Sequence, residues 1–291
     1  HRTDDLDDLP LPWTVAELVL NQLDDLSPEV REVVTAASVL GRRVSFDLLA
    51  GVSHITESDL IERLKAAVDS GLLIETEADL FGFHHEIARE AIESSLLGRE
   101  RRRLHEAALD ALRRLDSHDR VAIVHHARGA GHYGEMVHQA RLGAQDSLRL
   151  GSTHQALRLA ETGLSEAEED LELLGLATEA AWLTGLLDEA EEHGDRWLTL
   201  ARKTSDLRQE SLALAARLRV AFDLGDIDGM APLTDALAAI VDQLPADADR
   251  AIALAALAQS CMLRDQVEPT IEWADRAIAE YLDAAHRMLG G

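Results

Sequence analysis

The chain has 291 residues, of which 46% are hydrophobic and 28% charged, a balance that predicts a soluble globular protein. Its formal net charge is −26, and both residues 1–115 (13 basic, 23 acidic) and residues 116–291 are acidic, which excludes a surface that holds nucleic acid by charge alone. No run of 18 apolar residues could span a membrane, and the single Cys261 excludes an intrachain disulfide, so we expect a reducing, cytoplasmic location.

Short helices are predicted over the first 71 residues, because apolar side chains recur there three and four positions apart. Ser27 and Pro28 are typical of an N-cap and a first helical position, and Gly41 is a typical helix end. We expect helical segments at Thr14–Leu26, Ser27–Gly41, Phe46–Ala50 and Thr56–Gly71.

A β-hairpin is predicted next, because the apolar period changes. Leu72–Glu75 and Leu80–Phe83 are typical of strands, and Glu77–Asp79 of the turn between them. Helical patterns resume at Glu86–Leu97 and Arg99–Leu115. Helices followed by a small hairpin predict a winged-helix domain over residues 1–115.

Helical segments continue from about residue 119 to the end, with no strand pattern. A turn residue followed five positions later by a small or apolar residue recurs at intervals of 34, 40 and 40 residues. The anchors are Gly151 with Ala156, Gly185 with Ala190, Gly225 with Met230, and Asp265 with Thr270, the last followed by Ala277. We expect a tetratricopeptide-like α-solenoid over residues 116–291; an ordinary helical bundle is the alternative. The fold class is therefore mainly α.

Three segments resemble one bacterial family in order and spacing: LPWTVAELVLNQLDDLSPEVREVVTAASVLG at Leu11–Gly41, FGFHHEIAREAI at Phe81–Ile92 and RRRLHEAALDAL at Arg101–Leu112. They are similar to the region that follows the nucleotide-binding core in LuxR-type transcriptional activators of the maltose-activator kind, which are signal-transducing ATPases with numerous domains. The resemblance is close over about residues 10–115 and looser through the repeats. It implies a winged helix followed by a helical-repeat sensor.

The resemblance also implies a role for His85. In related ATPases, a histidine at the start of the helix after the wing contacts the β-phosphate of ADP, and its position in F-x-F-x-H corresponds to His85. Helix N-termini favour anions. The alternative is a helix-start residue bonded to the local backbone. We do not expect a metal at His84 and His85, because adjacent side chains are expected to point in different directions.

For the other candidate residues, the sequence indicates a chemical function less strongly. His125, His126, His132 and His138 form no i, i+4 ligand pair with matching acids, so we expect surface or packing roles and no metal site. Trp182, Trp197 and Trp273 are expected in the repeat core, or in a concave ligand groove. No catalytic constellation is found.

We therefore expect a regulatory fragment of a longer protein rather than an enzyme, because the chain contains no G-x-x-x-x-G-K-[ST] phosphate-binding loop. The repeats would bind a protein partner or a small-molecule inducer. The winged helix would relay this to an ATPase core outside the chain, where ATP or ADP binds; we expect no cofactor in the chain itself. A stand-alone repeat scaffold is the alternative, and a DNA-binding winged helix is less favoured.

Overall fold

The computed structural model describes residues 13–289 of the chain, with side chains described for 15–282. The chain divides into two compact units, an N-terminal unit that ends at Met136 and a C-terminal unit that starts at Val137. The sequence-based domain boundary after residue 115 lies 21 residues before this division, since 136 − 115 = 21. Leu11 and Pro12, the first residues of the LPWTV segment, lie outside the described residues.

The N-terminal unit consists of short helices and three short strands. Ser27 accepts a hydrogen bond from the Val30 amide at the start of the second helix, and Gly41 ends that helix at a φ of 123°. The elements in chain order are α1 (Trp13–Asp24), α2 (Pro28–Leu40), β1 (Arg43–Ser45), α3 (Phe46–Ser53), α4 (Glu57–Asp69), β2 (Leu73–Glu77), β3 (Leu80–Phe83), α5 (Glu86–Ser95), α6 (Gly98–Arg114) and α7 (Arg120–Ala130).

The three strands form one antiparallel sheet in the order β1-β3-β2. The predicted hairpin is confirmed, with β2 extending two residues further than expected. The first strand, Arg43–Ser45, was not predicted, because three residues are too few to show an alternating pattern. Its Val44 is buried opposite Phe81 and joins the sheet to the helical core.

The C-terminal unit is a series of helical hairpins. The helix α8 (Tyr133–Arg149) crosses the division between the two units. The remaining elements are α9 (Thr153–Leu164), α10 (Leu171–Thr184), α11 (Leu187–Thr204), α12 (Leu207–Asp223), α13 (Ile227–Ile240), a 3-10 turn (Val241–Gln243), α14 (Ala248–Leu263) and α15 (Val267–Leu289). Among the described residues, no helix has both the length and the apolar character needed to cross a bilayer.

The four predicted repeat anchors all lie at turns between consecutive helices. Gly151, Gly185 and Gly225 have φ between 75° and 82°, and Asp265 has a φ of 57°. Glycine adopts this left-handed conformation without a steric penalty, which explains three of the four residues. The partner residues five positions later are buried at Ala156, Ala190 and Met230, whereas Thr270 is half-buried.

Candidate functional site

His84 and His85 lie between β3 and α5, and both are exposed. The His84 amide donates to the Leu72 carbonyl at 3.1 Å, which ties His84 to the residue just before β2. His85 is the N-cap residue of α5, with φ −133° and ψ 132°, and its side chain makes no capping hydrogen bond. Its imidazole therefore remains available to a group outside the helix.

The rings of His84 and His85 are in contact. His84 Nδ1 lies 3.0 Å from His85 Nε2, and the ring centroids are 4.4 Å apart in an edge-to-face arrangement. The expectation that these adjacent side chains point in different directions was wrong, because their ring nitrogens lie within contact distance. The proposed alternative, a bond from His85 to the local backbone, is not seen for its side chain.

Positive side chains accompany this pair at the first turn of α5. Glu86 forms ion pairs with Arg42 at 3.1 Å and with Arg89 at 2.6 Å. Burial alone would raise the pKa of Glu86, but the hydrogen bonds from Arg89 and Arg42 lower it overall. Arg89 also pairs with Glu93, so two guanidinium groups balance two carboxylates and the helix start is not strongly negative.

A second group of histidines lies where α6 and α7 pack together. His105 on α6 and His126 on α7 are buried, at 4% and 0% exposure, and their Nδ1 atoms are 3.0 Å apart. His125, the neighbouring residue on α7, is exposed at the edge of this group. The three ring centroids are separated by 4.9 to 5.2 Å.

Burial makes the neutral form of these rings dominant. It lowers the pKa of His105 to about 4 and that of His126 to about 3, and repulsion from His125 contributes to both shifts. His125 is exposed as a whole residue, but loss of water around its ring lowers its pKa, although Glu93 and the Val39 backbone favour its charged form. Neutral imidazoles are the form that binds metal ions.

His105 is not among the candidate residues predicted from the sequence. Its position in the sequence indicates a buried side of the helix. Ala108, Leu109 and Leu112 follow His105 by three, four and seven residues, and all three are buried. That spacing assigns His105 to the apolar side of α6, but it does not reveal which residue of α7 lies opposite. His132 and His138 are not part of the group: His132 lies 3.5 Å from Glu106, and His138 is exposed.

The C-terminal unit has a groove along α10, α12 and α14. Its floor is apolar, with Trp197, Ala216 and Ile252, and charged groups from Glu179 and Arg219 border it. Trp197 is buried, as predicted for the repeat core, and donates to Gln209 at 2.8 Å.

The other two tryptophans of the unit are half-buried rather than core residues. Trp182 donates to Asp223 at 2.6 Å, and the Arg219 guanidinium lies 4.6 Å from its ring centroid. Arg276 covers Trp273 at the same distance.

No protein-family model and no curated protein matches the chain. Among solved structures, it is similar to kinesin light chain nearly identical TPR-like repeats of Podosopora anserina, at 15% identity and a TM-score of 0.46 over 64% of this chain and 92% of that one. It is also similar to BtubC from P. vanneervenii, at 14% identity and a TM-score of 0.43 over 89% of this chain and 92% of that one.

A third similar structure is a signal transduction ATPase with numerous domains from Pyrococcus horikoshii, which has a tetratricopeptide repeat sensor. The identity is 12% and the TM-score 0.43, over 94% of this chain. The chain spans 53% of the length of that protein.

Proposed function

We propose that the chain is a regulatory module whose helical hairpins bind a protein partner or a small-molecule inducer. The observation that carries this proposal is the groove along α10, α12 and α14. It exposes an apolar floor with charged residues at its border, which is the composition of sites that bind peptides and small molecules. A stand-alone repeat scaffold would bind its partner in the same groove. The regulatory module and the scaffold differ in whether that binding controls an ATPase.

The relay function rests on the N-terminal unit. Its order of α2, β1, α3, α4 and the β2–β3 hairpin, with sheet order β1-β3-β2, supports a winged helix of the kind the family resemblance implies. In that family the domain follows an ATPase core, which would bind ATP or ADP outside this chain. We propose that the chain itself is not an enzyme and needs no nucleotide of its own.

Direct DNA binding is disfavoured by the charge of the surfaces that a winged helix uses. The helix α4 exposes Glu57, Asp59, Glu62 and Asp69 against a single exposed base, Lys65. The hairpin adds three exposed acids, Glu75, Glu77 and Asp79. Carboxylates at these positions repel the phosphates that a DNA-binding surface must contact.

We propose that His85 senses the nucleotide in the longer protein. Its exposed ring at the start of α5, with Arg42 and Arg89 nearby, suits contact with a phosphate of ADP. His84 would orient the ring through their 3.0 Å contact. The buried, unpaired Cys261 fits a reducing cytoplasmic setting, which we propose for the chain.

The test compares ADP binding by variants of the longer protein. Removing a hydrogen bond to a charged group costs about 1.5–3 kcal/mol. We therefore expect His85→Ala to weaken ADP binding roughly ten- to a hundredfold. We expect a smaller loss from His84→Ala, which removes only the orienting ring. His118→Ala, at an exposed histidine of the same unit, is the matched control and should leave ADP affinity unchanged.

A groove variant separates the regulatory module from the scaffold. Ile252→Asp places a charge on the apolar floor of the groove, where Ile252 is 50% exposed, so folding should be retained. If the hairpins regulate the ATPase, this variant changes the inducer dependence of ATP hydrolysis. Hydrolysis that is identical in wild type and Ile252→Asp under inducing conditions favours the scaffold.

A further inference from the structure

Three histidines of the N-terminal unit bring one ring nitrogen each to within 4.8 Å of one another: His105 from α6, and His125 and His126 from α7. Zinc–nitrogen bonds are about 2.0–2.1 Å long, so the ligand atoms of a tetrahedral site lie about 3.3 Å apart. The 3.0 Å separation of the two buried Nδ1 atoms is already close to this value. The exposed His125 is the ligand that must move, and its nitrogen must come closer to the other two by about 1.5 Å at most.

We propose that His105, His125 and His126 bind a divalent transition metal ion of the zinc type, with a fourth coordination position open to water or to a ligand from another molecule. Three imidazoles and one open position form a known zinc arrangement. Imidazole nitrogens also select against Mg²⁺ and Ca²⁺, which prefer oxygen ligands. This proposal does not depend on the nucleotide-sensing or partner-binding functions.

The buried half of the site is held in place by packing. A Cβ at Gly129 would overlap the His105 ring, so α7 carries a residue without a side chain where that ring lies. The rings of His105 and His126 are therefore fixed by the α6–α7 contact before any ion binds. A rigid pair of ligands lowers the entropic cost of binding a third component.

The proton balance of the buried pair is compatible with metal binding. Two Nδ1 atoms 3.0 Å apart share one proton when no ion is present. An ion bound to both nitrogens displaces that proton, which moves to Nε2 of the ring that donated it. Nε2 of His126 is buried and has no hydrogen-bond partner, so no contact keeps a proton from this atom when Nδ1 is the ligand.

The charges around the site act in both directions. Glu93 attracts a cation towards His125, whereas Arg89 and Arg128 repel it. Arg101 acts against a cation at His105. We therefore expect Arg101→Gln to increase the affinity for the ion.

The experiment is a calorimetric titration of the metal-free chain with Zn²⁺, repeated with Co²⁺ to follow ligand geometry by visible absorption. We expect one high-affinity ion per chain. His125→Ala should weaken binding at least tenfold, the minimum expected for changes at a metal site. Because His125 is exposed, this variant should retain the wild-type circular dichroism and melting temperature without metal.

Two controls address the other histidines. His138→Ala removes an exposed histidine from α8, and the double variant His84→Ala/His85→Ala removes the exposed pair. Both should retain the high-affinity ion. The proposal is overturned if the wild type shows no saturable binding, if His125→Ala binds as tightly as the wild type, or if the ion is lost with His84 and His85.

Discussion

The two units of the molecule differ in what their helix interfaces contain. In the C-terminal unit, the interfaces are filled mainly by Leu and Ala, and the residue five positions after each glycine anchor is buried. The buried polar side chains His193 and Arg217 of that unit lie beside carboxylates. In the N-terminal unit, the α6–α7 interface contains the rings of His105 and His126. Burying a polar ring costs free energy unless its nitrogens are paired, and His126 Nε2 is unpaired.

This difference between the interfaces indicates which unit contains side chains with a chemical function. A regular apolar interface stabilises the fold and needs no further explanation. An interface that carries two buried imidazoles and an unpaired nitrogen is less stable than an apolar one of the same shape, and departures of this kind concentrate at functional sites. The C-terminal unit thus offers a surface for binding a partner, and the N-terminal unit offers side chains that can coordinate a metal ion.

The largest expected effect is at the apolar interfaces. Leu214 on α12 is fully buried. We expect Leu214→Ala to lower the free energy of unfolding by about 2–5 kcal/mol, measured by urea denaturation. The control is Leu150→Ala, at a position that is 82% exposed, which should change it by less than about 0.5 kcal/mol. Similar losses from both variants would contradict the assignment of the core.

The next effect concerns pH and separates the two kinds of interface. The folded-state pKa values of His105 and His126 lie below the ordinary value, so the unfolded chain binds more protons at mildly acidic pH. Stability from these rings is therefore complete above about pH 6.5 and falls as the pH is lowered. Between pH 6.5 and pH 5, the free energy of unfolding falls by about 2 kcal/mol for each ring that stays neutral in the folded protein.

The double variant His105→Leu/His126→Leu isolates this contribution. Urea unfolding of the metal-free wild type and the double variant at both pH values gives the difference directly. The variant should lose less stability on acidification than the wild type. Parallel pH dependence of the two proteins would show that the buried rings do not titrate as described.

A smaller effect is expected at Gly129. In Gly129→Ala the added methyl group overlaps the His105 ring, so we expect a loss of about 1–3 kcal/mol together with weaker Zn²⁺ binding. Gly134→Ala is the matched control, because no atom lies within 4 Å of its added Cβ. Alanine is favoured over glycine within a helix, so this control should gain about 0.5–1 kcal/mol. A stabilised Gly129→Ala would contradict the close packing of His105.

The smallest expected effects concern the repeat turns. Gly185→Ala forces a Cβ into a left-handed conformation at φ 82° and should cost about 1–2 kcal/mol. Asp265 occupies the corresponding turn at φ 57°, and Asp265→Gly should be neutral or stabilising by less than about 1 kcal/mol. Thermal unfolding of Gly185→Ala and Asp265→Gly measures the two changes in stability. Effects of the same sign and size would contradict the equivalence of these turns.

The sequence predicted the repeat turns well because their cause is local. Glycine at 151, 185 and 225 is favoured by the left-handed backbone of a tight turn, whatever the rest of the fold does. The β2–β3 hairpin was predicted for the same reason, from the period of its apolar residues. The strand β1 was missed because its pairing with β3 joins residues nearly 40 positions apart.

The candidate sites were less predictable because they depend on packing between elements. His85 could be assigned to a helix start, but its contact with His84 is a side-chain arrangement that the sequence pattern does not show. His105 reaches His126 across 21 residues, and only the packing of α6 on α7 brings them together. The pair His125 and His126 therefore lacked a third ligand in the sequence, and the expectation of no metal site rested on that incomplete set.

The measurement that tests the metal site most directly is zinc-edge X-ray absorption of the full chain loaded with one Zn²⁺. We expect three imidazole nitrogens at about 2.0–2.1 Å from the zinc, with one further light-atom ligand. In His125→Ala the imidazole count should fall to two. A spectrum with only oxygen ligands or a single imidazole, or an imidazole count unchanged by His125→Ala, would contradict the assignment of His105, His125 and His126 as the metal-binding residues.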